Sequence, residues 1–149
     1  FIISGGGIYN NLDYSFTSEY EDGTAKQNAP GGGSPALREQ LKILQDFMKS
    51  FDFIHMQPNH SLLLKIEGDR ETRGWVLANP GKEYAVYLRN GNRAIIRLEI
   101  PKSIYTVEWV NTLTGKIDLS ARVNHTGGEM MLQSPEYIHD IALRIKQSK

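Results

Sequence analysis

The chain has 149 residues, 40% apolar and 23% charged, with 17 basic side chains against 17 acidic ones and no cysteine. That is the composition of a globular domain, and a chain of this length buries roughly 70% of the surface its unfolded form exposes. Balanced charge excludes a phosphate-driven nucleic-acid binder or a polybasic membrane anchor, the missing cysteine excludes disulfide frameworks and thiolate zinc sites, and no apolar run has transmembrane length.

Phe1-Ile2-Ile3 reads as the inside of a buried strand already under way, so the chain is expected to be a fragment, a processed product or a trimmed piece, and a missing leader says nothing of export. Gly5-Gly6-Gly7 breaks it. The loop over 5–34 far exceeds the roughly 12–15 residues at which a structureless connection needs a reason, and it holds Asp13, Glu19, Glu21 and Asp22 against Lys26 alone. Strand, glycine break, long loop and capped helix are the parts of one β–loop–α unit, whose loop lines the ligand site in parallel α/β folds. Tyr9, Asn10, Asn11, Asp13, Tyr14, Glu21 and Asp22, with Tyr20, suit a sugar site: rings stack on apolar sugar faces, and amides and carboxylates bond hydroxyls. The competing reading is a loop whose Asn and Asp side chains hold local turns.

Ser34 and Pro35 read as the cap and first residue of a helix. Leu37, Leu41, Leu44 and Met48, joined by Phe47, Phe51 and Ile54, form one apolar stripe opposite Arg38, Glu39, Lys42, Asp46 and Lys49. His55 and His60 flank Pro58 with no third ligand nearby, so they read as linker residues, and neither a metal nor a cofactor is expected. His125 reads as a turn residue and His139 as part of a strand face.

From residue 61 the period falls to two. Strands are expected near 61–67, 74–78, 83–89, 94–100, 105–111, 116–121, 129–133 and 137–146, with Asn90-Gly91 and Thr114-Gly115 as hairpin turns. Ile96, Leu98 and Ile100 oppose Arg97 and Glu99; Tyr105, Val107 and Trp109 oppose Thr106 and Glu108; Ile141, Leu143 and Ile145 oppose Asp140 and Arg144. Trp109 reads as core; Trp75, at a strand's start, reads as core in preference to an exposed sugar-stacking platform. The expected fold is mainly β: an antiparallel β-sandwich over 61–149, preceded over 1–60 by the terminal strand–loop–helix unit of a (β/α) barrel.

The run from Gly5 to Phe16, then Glu21-Asp22-Gly23-Thr24 and Pro30-Gly31-Gly32-Gly33-Ser34-Pro35, resembles the last barrel segment of bacterial glycoside-hydrolase-like proteins of the apiosidase-like barrel group. Trp109-Val110-Asn111-Thr112-Leu113-Thr114-Gly115 and Asp140 to Ile145 resemble the β-sandwich that follows it, a module whose family name is collagen-binding domain. The resemblance implies an extracellular or periplasmic protein acting on oligosaccharide or polysaccharide, with loop 5–34 completing the cleft and the sandwich bracing the barrel. It also implies that the catalytic carboxyl pair, roughly 5 Å apart for retention, comes from earlier strands, so no catalytic residue is assigned here. The helix face from Leu37 to Ile54 must then bury itself on the sandwich, on the rest of the barrel or on another chain. The alternative is a non-catalytic sandwich that binds polysaccharide or an extracellular protein such as collagen.

Overall fold

The computed structural model describes residues 1–6, 13–26 and 32–148. Helix α1 (Pro35–Lys49) precedes nine strands: β1 (Gln57–Pro58), β2 (Leu63–Gly68), β3 (Arg73–Asn79), β4 (Glu83–Arg89), β5 (Ala94–Ile100), β6 (Ser103–Val110), β7 (Ile117–His125), β8 (Gly128–Gln133) and β9 (Asp140–Gln147). They form an antiparallel sandwich of a six-stranded sheet, ordered β1-β3-β4-β9-β6-β7, and a three-stranded sheet, ordered β2-β5-β8. The period-two alternation explains the core. Val76, Val86, Leu88, Val107, Trp109, Ile141, Leu143 and Ile145 point from the large sheet onto Ile96, Leu98, Ile100 and Met130 of the small one.

The opposite face of the large sheet is also apolar. Leu77, Ala85, Val110 and Ala142 pack against Ile3, Phe47, Phe51 and Met56, which lays α1 across the sheet as a third layer. Ser34 caps the helix, its Oγ accepting a hydrogen bond from Leu37 N at 3.0 Å. At the other end Lys146 Nζ donates to Ser50 O, and the Asp52 N–H donates to Glu83 Oε1 at 2.6 Å, tying the helix exit to β4 and β9.

Several expectations need correction. Phe1–Ile3 forms a hydrogen-bonded turn, with Gly5 N on Ile2 O and Gly6 N on Phe1 O; among the described residues no strand runs beside it to supply a ladder. The helix stops at Lys49, and its packing axis is Phe47–Phe51 rather than the leucine stripe: Leu37 and Leu41 are half-buried, Leu44 is exposed, and Ile54 is 89% exposed. Asn90-Gly91 has the positive φ values foreseen, 65° and 80°, but β4 and β5 belong to different sheets, so the turn is an arch between layers. Thr114-Gly115 does close the β6–β7 hairpin. His139 is exposed at φ 66° ahead of β9, outside any strand face. Trp109 is core, whereas Trp75 is half-buried on the helix side, because the alternation that sends Val76 and Ala78 inward turns it outward.

Candidate functional site

The segment 13–26 is pinned to the start of α1 by one cation. Arg38 Nη1 donates to Asp13 Oδ2 at 2.8 Å and to Ser15 Oγ at 2.9 Å, its Nη2 donates to Gly23 O at 3.0 Å, and its guanidinium lies 4.8 Å from the Phe16 ring centre. Ser15, fully buried, donates its hydroxyl to Asp13 Oδ1 at 2.5 Å. Gly33 fits against this knot because it has no side chain: at φ 125° a Cβ would sit 1.9 Å from Asp13 Oδ1. The Ser15 hydroxyl, and after it Arg38, hold the Asp13 carboxyl below the usual aspartate range. Asp13 is therefore ionised and engaged, the opposite of the raised carboxyl a general acid requires.

Of the other candidate residues, Tyr9, Asn10 and Asn11 lie outside the described residues. Tyr14 is exposed, as are Glu21 and Asp22. Asp22 Oδ1 accepts from Thr24 N at 3.1 Å and Thr24 Oγ1 at 2.8 Å, so it closes a local turn. Tyr14 and Glu21 present a ring and a carboxylate to solvent, joined there by the exposed rings of Phe16 and Tyr20. The loop thus splits into an inward part that fastens it and an outward part that faces solvent.

A second feature escaped the sequence reading. Between the opening turn, α1 and the large sheet lies a cleft of about 300 Å³ walled by Phe1, Ile2, Leu41, Leu44, Tyr87 and Val110. Trp75 and Tyr87, opposite each other on β3 and β4, lie beside it with ring centres 5.9 Å apart and planes tilted by 32°. Tyr87 Oη donates to Asp140 Oδ2 at 2.7 Å, and Thr112 Oγ1 donates to the other carboxylate oxygen. Burial, then the adjacent Asp140 charge, pushes the Tyr87 phenol well up, so it stays a hydrogen-bond donor. Only strand pairing brings Trp75, Tyr87 and Asp140 together, and their spacing along the chain carries no signal of it.

The Trp109-to-Gly115 motif has a structural account. Trp109 fills the core, Asn111 Oδ1 accepts from Leu113 N at 3.0 Å and Thr114 N at 3.1 Å, and Gly115 takes φ 70° at the hairpin corner. Three of the four histidines are engaged too. His60 Nδ1 accepts from Val76 N at 3.1 Å, His125 Nε2 lies 3.1 Å from Ile100 O, and His55 Nδ1 lies 2.8 Å from Asp52. Among the described residues no three His, Cys, Asp or Glu side chains are grouped to hold a metal.

No family model and no curated protein matches the chain. Solved structures do. A chain described as a glycoside hydrolase matches with a TM-score of 0.59 and 20% identity, over 92% of this chain and 30% of that one. A glycoside hydrolase family 5 protein from Bacteroides vulgatus ATCC 8482 matches with a TM-score of 0.58 and 19% identity, over 74% of this chain and 24% of that one. What is shared at such identity is the fold, and this chain spans less than a third of either neighbour.

Proposed function

We propose that this chain is the carboxyl-terminal part of a carbohydrate-active, glycoside-hydrolase-like protein of the apiosidase-like barrel group, its outward loop residues contributing to a cleft for oligosaccharide or polysaccharide and its sandwich bracing the barrel. The observation that carries this reading is the half-covered helix. Phe47 is buried on the sheet while Leu41, Leu44 and Phe1 wall an open apolar cleft, a surface suited to further barrel elements. The span of the structural neighbours supports it, since each has more than twice as much chain beyond the matched part as within it. The sandwich reads as a brace rather than a binding face: Arg97 bridges Glu67 at 3.0 Å and Glu129 at 2.5 Å across the small sheet, where a free-standing sugar module would present an aromatic row. The acid and nucleophile would come from the rest of the barrel, and the location would be extracellular or periplasmic.

The test is glycan-array binding and intact mass of the native gene product. A polypeptide well above 16.8 kDa that binds saccharide, with Tyr14→Ala and Glu21→Gln each weakening binding several-fold, is the expected result. A product of this chain's mass alone, or saccharide binding indifferent to both substitutions, overturns it.

A further inference from the structure

The two edges of the six-stranded sheet are built differently. One ends in β1, two residues long and including Pro58, whose missing N–H blunts it. The other ends in β7, nine residues without proline or lysine, hydrogen-bonded to β6 on one side and flanked by no described strand on the other. Every residue from Ile117 to Arg122 is exposed. Leu119 pairs with Trp109 and Ala121 with Val107, which places both on the face that packs the core. Yet Trp109 is 1% exposed and Leu119 46%, because the three-stranded layer stops short of this edge. Unpaired backbone groups beside uncovered apolar side chains are a template for one more strand.

The order of side chains along β7 says which strand fits. Alternation puts Ser120 and Arg122 on one face and Leu119 and Ala121 on the other; Asp118, which the register shift opposite Trp109 and Val110 leaves without a β6 partner, precedes Leu119 on the Ser120 side. Antiparallel pairing of β7 with itself about a two-fold axis at Ser120 sets Asp118 of each copy opposite Arg122 of the other, and Leu119 opposite Ala121. Symmetry makes both charge pairs attractive at once. Moving the axis to Leu119 breaks both pairs and brings Arg122 against Lys116; moving it to Asp118 or Arg122 faces like charges. We propose that β7 is the surface through which two copies of this chain associate, joining their large sheets edge to edge about Ser120.

Sedimentation equilibrium of the full chain over a concentration series tests this. The expected result is a monomer–dimer equilibrium in which Asp118→Arg and Arg122→Asp each raise the dimer Kd by about tenfold, while the double swap restores it. Asp118 also accepts a 3.2 Å hydrogen bond from Asn111 Nδ2, so Arg122→Asp is the variant that leaves the hairpin contacts intact. A chain that stays monomeric throughout, a Kd unmoved by either single swap, or a double swap that fails to restore association overturns the proposal.

Discussion

Asp13 illustrates how one side chain meets two demands that its residue type satisfies equally well. A carboxylate in a polar, aromatic loop suits sugar hydroxyls; here it takes the Ser15 hydroxyl and the Arg38 guanidinium and fastens the loop to the helix. The consequence is a pH dependence of known sign. Since the folded-state pKa is depressed, first by Ser15 and then by Arg38, the contribution is present above the unfolded aspartate value of about 3.9 and is lost as pH falls through the folded one. Denaturant midpoints measured down the acid limb should therefore fall less steeply for Asp13→Asn than for the parent. The comparison cancels Glu67, which Lys65 and then Arg97 hold low in the same direction. Equal slopes for the two proteins would remove Asp13 from this role.

Among the elements, α1 depends most on its surroundings. A 15-residue helix is marginal alone in water, so its stability comes from the face laid on the large sheet. On the helix that face narrows to Phe47, which meets Phe51 just past the helix end, edge to face at 5.1 Å and 72°, over Leu77, Ala85, Val110 and Ala142. Phe47→Ala should cost about 3 kcal/mol, and the loss should fall on the helix before the sandwich. Native-state hydrogen exchange reads this directly: amides of Leu41 to Lys49 should lose protection while those of Ile141 to Ile145 keep theirs. Parallel loss in both segments would mean that helix and sheet open as one unit.

At the level of the molecule, the sequence division at residue 60 meets a structure in which earlier residues serve the sandwich. Gln57 and Pro58 extend the large sheet, Met56 joins its apolar face, and α1 covers that face. A chain cut to 61–149 would uncover Leu77, Ala85, Val110 and Ala142 together, an apolar patch of the kind soluble monomers avoid. It should bind a hydrophobic dye and melt below the full chain, as differential scanning fluorimetry would show. A truncated sandwich that melts like the parent would establish 61–149 as self-sufficient and leave α1 as a passenger.

The local order of side chains was enough for the elements: period-two runs found the eight main strands, Ser34-Pro35 the helix start, and Ile96, Leu98, Trp109 and Leu143 their place in the core. These follow from backbone geometry and burial acting within a few residues, so the chain carries them in its text. Partner choice is another matter. That Asn90-Gly91 turns between sheets, that Trp75 meets Tyr87 and Asp140 on the helix side, that Asp13 faces Arg38, and that β7 is left at an edge all depend on contacts between segments tens of residues apart. Spacing along the chain is blind to those contacts, because each is selected only when whole layers compete to bury the same apolar area.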